Sequence, residues 1–219
     1  RRDEVIRYAT EKYGADHVKI FVTGGVRSPG RMSTSSANSR DEIRGAVEEV
    51  WLPAARDLVD ALAALAHSLA DVPMLARTHG QPATPTTLGK ELGVFVYGLG
   101  RILAQVESTE YLAKFSGATG TFAAHLAADA TQDWPAISHE FVTSLGLTWN
   151  PLTTQIESHD WQAELYSRVS HANRVLHNLC TDVWTYISMG YFTQIPQAGA
   201  TGSSTMPHKI NPIRFENAE

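Results

Sequence analysis

Cysteine is almost absent from the sequence: Cys180 is the single one among 219 residues. One cysteine cannot form an intrachain disulfide, and it cannot build a cysteine-based zinc site. The composition therefore fits a reducing compartment, and we predict a cytoplasmic protein.

Charge is also scarce, since charged residues make up 19% of the chain against about 25% in an average domain. The net charge of −5 provides no basic field, so we expect no nucleic-acid partner. The longest uncharged run, residues 183–208, is apolar enough to pack only over its first ten or so positions. A membrane span needs about 20 such residues, so we expect none.

Apolar residues recur every three or four positions through three long stretches, which predicts long helices over 41–69, 86–114 and 160–192. Pro53 predicts a kink or a break in the first of them. Shorter helices are predicted over 4–14 and 134–145. No strand-like alternation lasts long enough to support a sheet. The predicted fold class is all-α, an elongated bundle of long helices.

Connections between the helices carry most of the glycine and proline. Residues 24–39 have no period and are predicted to be loop. Residues 74–87 are rich in proline and are predicted to be an ordered, non-helical connection, and 147–156 form another.

The sequence RTHGQPATP over residues 77–85 places His79 between two predicted helices. An imidazole is a good proton donor near pH 7, and Gly80 and Pro82 restrict the backbone beside it. A lone histidine at a turn is more often structural. The dense pattern of neighbouring polar residues favours a functional interpretation here.

A second polar loop, with the sequence GSSTMPHKINP over residues 202–212, combines hydroxyl groups, a lysine and an asparagine. Backbone N–H groups and Lys209 can bind carboxylates there. The same donors would lower the pKa of a serine hydroxyl, as a serine base requires. A flexible linker would be richer in glycine and serine.

The sequence TTQIE over residues 153–157 gives a weaker signal. Gln155 could bind a substrate carboxylate or cap the following helix. His159 has no converging set of ligands in the sequence, so we predict no metal site. Neither a phosphate-binding P-loop nor a Gly-x-Ser-x-Gly elbow occurs, and no cofactor is indicated.

Taken together, these motifs resemble the fumarase/aspartase superfamily and, within it, the adenylosuccinate lyases. The loop over 202–212 resembles the superfamily signature, while Met-Pro-His-Lys and residues 77–85 resemble the adenylosuccinate lyases in particular. The segment EFVTSLG over 140–146, followed by 154–157, fits the bacterial type.

The resemblance implies a β-elimination that cleaves adenylosuccinate to AMP and fumarate, and SAICAR to AICAR and fumarate. It implies that Ser203 is the base and His79 the general acid. Five further residues match positions that bind substrate or shape its carboxylate site: Thr78, Gln155, Lys209, Asn211 and Asn217.

The resemblance also implies a homotetramer with active sites shared between subunits. We expect residues 1–40 to be a partial N-terminal segment with an irregular loop. Residues 41–219 are expected to form the central helical-bundle domain, which carries the signature loop 199–212. Because the chain opens without Met and stops within a helical pattern, we expect a fragment of a longer chain.

Two segments depart from the family pattern. Residues 1–3 and 30–35 stand where family members carry a His-Asp-Val segment and a Thr-Ser-Glu/Gln-Asp-x-Asn loop. Compensated frameshifts in the gene are one hypothesis for this mismatch. Two alternatives stay open: a superfamily lyase acting on argininosuccinate, aspartate or fumarate, and an inactive helical oligomerisation fragment.

Overall fold

The chain divides into two compact units, residues 1–54 and 55–219. The computed structural model describes residues 40–195, 205–206 and 210–218. The predicted helix over 4–14, the predicted loop over 24–39 and the departures at 1–3 and 30–35 lie outside them. The predicted boundary near residue 40 stays a prediction.

The described part of the first unit is helical. Helix α1 (Arg40–Gly45) continues as a π-helical segment (Ala46–Trp51), and helix α2 (Leu52–Ser68) begins directly after it and runs into the second unit. The predicted irregularity at Pro53 takes the form of this π-helical segment just before it. Proline has no N–H for the α-helical hydrogen bond, and it is tolerated in the first turn of α2.

The second unit continues with a two-stranded antiparallel hairpin and a long helix. Strand β1 (Pro73–Thr78) pairs with β2 (Gln81–Thr87), and helix α3 (Leu88–Glu107) follows. Thr87 caps α3, because its Oγ1 accepts a hydrogen bond from the Lys90 N–H at 3.3 Å.

Shorter elements come next in the chain. They are β3 (Leu112–Ala113), α4 (Ala123–Ala128), α5 (Trp134–Ser144) and β4 (Thr148–Trp149). Strands β3 and β4 form a short parallel pair. The longest helix, α6 (Asp160–Ser188), follows them, and α7 (Ile213–Glu216) lies near the end of the described chain.

Helices α3 and α6 pack antiparallel and bury the core of the second unit. The Arg168 guanidinium, near the start of α6, donates to the Gln105 carbonyl near the end of α3 at 2.7 Å. Fully or almost fully buried side chains lie between the two helices or beside them. They include Leu99, Ile102, Val106, Leu165 and Ala172.

This antiparallel packing defines two ends of the second unit. At the hairpin end, the β1–β2 hairpin leads into α3 and α6 terminates. At the loop end, α3 terminates and α6 begins, with the β3–β4 pair beside them. The 20 residues of α3 separate the two ends by about 30 Å.

The all-α prediction is confirmed, since the described chain is mostly helical with only short strands. The expectation of no sheet was wrong for residues 73–87, which pair as a hairpin. Pro82 and Pro85 within β2 hide the alternation that marks a strand. The helix predicted to reach residue 114 ends at Glu107, because the chain leaves it to pair β3 with β4.

The helix predicted over 160–192 ends at Ser188, just before Gly190, whose φ of +76° terminates it. The prediction of a helix over 134–145 agrees with α5. None of the helices in the described part of the chain combines the length and hydropathy that crossing a bilayer requires.

Candidate active site

His79 lies at the tip of the hairpin, in the two-residue turn between β1 and β2. The backbone φ angles are +52° at His79 and +71° at Gly80, and Thr78 pairs with Gln81 across the turn. Positive φ at both central residues is the geometry of the type I′ turn that suits a twisted hairpin. Glycine adopts it freely, whereas histidine does so at some cost in free energy.

Both predicted site residues of this hairpin are open to solvent, since the side chains of Thr78 and His79 are exposed. A strained residue with an exposed titratable side chain is common at functional sites. The turn therefore presents the imidazole outward on a defined backbone, as a proton donor to a bound substrate requires.

Arg77 and Tyr191 connect this turn to the end of α6. The Tyr191 hydroxyl donates to the Leu75 carbonyl at 2.5 Å and accepts from Arg77 Nε at 3.2 Å. Arg77 also donates from Nη1 to the Gly80 carbonyl at 3.1 Å. The turn is thus tied to a residue that follows α6 directly.

The last residues of the signature loop also lie near the end of α6. The side chain of Gln194, which precedes the loop, donates to the Ile210 carbonyl near the loop's end at 2.7 Å. Trp184 Nε1 donates to the Glu216 carboxylate at 3.2 Å and so links α6 to α7. The segments on either side of the loop are therefore anchored at the hairpin end.

Within this segment, Asn211 and Asn217 are exposed and flank α7. Ser203, the predicted base, and Lys209 lie outside the described residues, so their roles stay predictions.

Gln155 lies at the loop end, in the connection that precedes α6, and its side chain is exposed. Two charged groups anchor this connection on either side of it. The Lys114 ammonium donates to the Thr154 carbonyl at 3.2 Å and to the Gly117 carbonyl at 2.7 Å. Burial lowers the pKa of the Lys114 ammonium.

The second anchor is Glu157, whose side chain is 1% exposed. Its carboxylate accepts from the His159 backbone N–H at 3.0 Å and lies 3.2 Å from the imidazole Nδ1 of the same residue. The Asn150 amide also donates to it at 3.4 Å. Gln155 therefore projects from a connection whose backbone is held from both directions.

Acidic groups line the α3–α6 interface near the hairpin end. Burial, and then the charge of Glu91, raise the pKa of the Asp182 carboxyl. Burial first, and then Asp182, Glu91 and Tyr191, raise the pKa of the Tyr186 hydroxyl. The surroundings of Asp182 and Tyr186 therefore disfavour negative charge. At Glu91, by contrast, burial is outweighed by hydrogen bonds from Lys90 and Thr86, which lower the pKa of its carboxyl.

The structure brings Thr78 and His79 together at the hairpin end, and anchors the segment carrying Asn211 and Asn217 at that same end. It places Gln155 at the loop end, about 30 Å of helix away. A single chain therefore does not gather those predicted site residues that the structure describes around one small molecule. In the described residues, no group of three or more histidine, cysteine or acidic side chains could hold a metal ion.

Sequence reasoning did not single out Tyr191 or Lys114. Tyr191 follows a helix-ending glycine, and Lys114 is the last residue of a predicted helix, so neither stands in a recognisable motif. Both act through backbone carbonyls distant in the sequence, which only the fold reveals.

The chain belongs to the lyase family, whose sequence model matches residues 40–219. Its curated relatives include proteins named adenylosuccinate lyase. Those of Vibrio cholerae serotype O1 and Escherichia coli strain K12 are each 50% identical to it, over 203 and 177 residues. These matches cover 92% and 81% of this chain, but 44% and 39% of the relatives.

A third relative, the adenylosuccinate lyase of Buchnera aphidicola subsp. Baizongia pistaciae, is 55% identical over 149 residues, 68% of this chain and 32% of its own length. The chain thus spans less than half of the length of each of these relatives.

Proposed function

We propose that this chain is the central part of an adenylosuccinate lyase of purine nucleotide synthesis, which releases fumarate from adenylosuccinate and from SAICAR. The observation that carries the proposal is 50% identity, over most of this chain, to relatives named adenylosuccinate lyase. The outward-facing His79 at a defined turn supports it.

In the proposed reaction, Ser203 removes a proton from the carbon beside a carboxylate of the succinyl group. The electron pair is held in that carboxylate as an aci-carboxylate, which cationic and N–H donors stabilise. The carbon–nitrogen bond then breaks, its electron pair passes to the nitrogen, and His79 protonates it. The products are fumarate and the amine. Atoms and electrons balance in this reaction without a cofactor.

The remaining predicted site residues bind the substrate in this proposal. Thr78 and Gln155 offer a hydroxyl and an amide in exposed positions, and Asn211 and Asn217 offer exposed amides. Lys209 supplies positive charge to a carboxylate. The anchored backbone around Gln155 supports its role, because a binding group is effective when its position is fixed in advance.

We also propose a homotetramer in which each active site combines residues of several copies. The separation of His79 from Gln155 supports this, since a second copy is needed to bring both to one substrate. Exposed apolar side chains on α3 support it too: Val94 is 58% and Tyr97 71% exposed. Such residues are typical of surfaces that another chain covers.

The proposal is tested with the full-length product of the gene that encodes this chain. Chromatographic detection of AMP and fumarate should show turnover of adenylosuccinate, and AICAR should form from SAICAR. Turnover of argininosuccinate, aspartate or fumarate in their place would instead identify another lyase of the superfamily.

The solution mass of the same preparation tests the assembly. We expect the mass of four chains by light scattering. Four chains with no turnover of any of these substrates would favour a catalytically inactive helical oligomerisation module. A monomer would contradict the shared site.

A further inference from the structure

The hairpin that carries His79 has little stability of its own. It has two strands, and an isolated two-stranded hairpin is marginal in water. Two register partners on β2 are prolines: Leu75 faces Pro85, and Arg77 faces Pro82. The Leu88 N–H donates to the Val72 carbonyl at 2.9 Å, so alternation along the ladder makes Leu75–Pro85 a pair without backbone hydrogen bonds. The Leu75 carbonyl therefore faces away from β2.

The register also shifts between Leu75 and Arg77, which marks a bulge or irregularity in β1. Since the positive φ at His79 adds to the cost of the turn, the hairpin needs support from elsewhere in the fold.

The Tyr191 hydroxyl supplies such support beside this irregularity. It donates to the Leu75 carbonyl, which the strand pairing directs away from β2 and leaves open to a partner outside the hairpin. The lone pair of that hydroxyl accepts from Arg77, whose planar guanidinium in turn donates to the carbonyl of Gly80. Two hydrogen bonds thus lead from Tyr191 through Arg77 to Gly80, the residue next to His79.

Tyr191 is itself fixed on α6. Its backbone N–H donates to the Tyr186 carbonyl at 2.9 Å, and its ring meets the Tyr186 ring edge-on at a centroid distance of 5.8 Å. Three residues further on, Gln194 binds the returning end of the signature loop. One short segment after α6 therefore holds both the His79 turn and the base of that loop.

We infer that Tyr191 is a positioning residue for His79: its hydroxyl, through Arg77 and Leu75, holds the His79 turn in place on the end of α6. The catalytic consequence rests on the proposed function. A proton donor that is displaced by a fraction of an ångström loses alignment with the leaving nitrogen, and the rate falls although the substrate still binds.

The test replaces Tyr191 by phenylalanine in the full-length gene product. Tyr191→Phe keeps the ring contact with Tyr186 and removes the hydroxyl. The matched control is Tyr166→Phe, because Tyr166 lies on α6 with an exposed ring. Amide hydrogen exchange of residues 74–78 is measured together with kcat and KM for adenylosuccinate.

We expect exchange in residues 74–78 to rise about tenfold in Tyr191→Phe, with exchange in α3 and α6 unchanged. We expect kcat to fall about tenfold while KM stays within about twofold, since His79 acts on bond cleavage rather than on binding. The control should match the wild type in all three quantities.

Unchanged exchange in residues 74–78 would overturn the inference, whatever the activity. Faster exchange with wild-type kcat would overturn it too, because the hydroxyl would then hold the hairpin without positioning His79. A wild-type protein that does not cleave adenylosuccinate would refute the proposed function instead, while the exchange measurement would still decide whether Tyr191 holds the turn.

Discussion

His79 has a backbone conformation that few side chains other than glycine and asparagine tolerate. His79 forms the turn and, in the proposed reaction, donates a proton. Replacement by asparagine tests the second role alone, because asparagine suits the turn but cannot act as an acid. Asn-Gly is a preferred pair at this type of turn, so the hairpin of His79→Asn should be at least as stable as that of the wild type.

We predict that His79→Asn lowers kcat by about 10²- to 10⁴-fold, the usual contribution of a general acid. Its Tm should stay within about 2 °C of the wild type. His67→Asn, at the exposed end of α2, is the matched control and should keep full activity. Wild-type turnover of His79→Asn would remove the assignment of this residue as the acid.

Ser203 and its neighbour Ser204 allow the proposed base to be distinguished from a hydroxyl group that is only nearby. Ser203→Ala should lower kcat as strongly as His79→Asn, because it removes the proposed base, whereas Ser204→Ala should lower it less. Steady-state turnover of adenylosuccinate by the two variants makes the comparison. Equal activity of Ser203→Ala and the wild type would exclude Ser203 as the base.

At the scale of elements, the position of Gln155 depends on a close contact between two connections. Gly120 has φ of +74°, and a Cβ placed there would overlap the Thr153 carbonyl oxygen. Gly190 has a similar φ of +76° but open space around it. Comparing alanine substitutions at Gly120 and Gly190 therefore separates the cost of steric overlap from the cost of the positive φ angle.

We predict that Gly120→Ala lowers the free energy of unfolding by about 2–4 kcal/mol, since backbone must move to admit the methyl group. Gly190→Ala should cost about 1 kcal/mol, from the backbone conformation alone. Urea denaturation followed by circular dichroism measures both. Equal losses in the two variants would show that the contact with Thr153 has no energetic weight.

The packing of α3 on α6 predicts a pH dependence at Asp182. Because its pKa is raised in the folded protein above the ordinary 3.8, the folded state holds the proton more tightly than the unfolded state. The charged carboxylate therefore destabilises the fold. This cost is absent below the ordinary pKa of 3.8, develops as the pH rises from there to the folded pKa, and is complete above it.

Accordingly, Asp182→Asn should raise Tm at pH 7 by about 1–3 °C. This advantage should shrink as the pH falls from the folded pKa toward the ordinary 3.8 and be absent below it. Asp57→Asn, an exposed carboxylate on α2, should change Tm little at either pH. Thermal unfolding scans across this range make the measurement. An advantage of Asp182→Asn that grows toward low pH would contradict the sign.

The elements could be predicted from sequence where their pattern is local. The apolar spacing predicted α5 and α6 to within a few residues, because amphipathic helices bury one face with a fixed period. The hairpin escaped prediction, since its strands carry prolines and its turn carries His-Gly rather than Asn-Gly. The premature end of α3 escaped too, because pairing of β3 with β4 joins residues far apart in the sequence.

The candidate site divides along the same line. Thr78, His79 and Gln155 could be proposed from motifs, because each belongs to a short run of adjacent residues that is recognisable in the sequence. The support of Tyr191 for the turn, and of Lys114 for Gln155, depends on contacts over 114 and 40 positions. Such contacts leave no local pattern.

At the scale of the whole molecule, the antiparallel pair α3 and α6 keeps His79 and Gln155 at opposite ends of one chain. A lyase that uses both must take them from different copies. Separate inactivating substitutions at the two positions should therefore complement each other in a mixed assembly, whereas two substitutions within one self-contained site would not.

The most direct measurement is the turnover of adenylosuccinate by full-length His79→Asn and Gln155→Ala chains that are denatured and refolded together in equal amounts. Random mixing leaves about a quarter of the shared sites with both native residues, so we predict about a quarter of wild-type activity. Each variant refolded alone should stay nearly inactive. Activity of the mixture that does not exceed the sum of the two variants alone would contradict a site assembled from several copies.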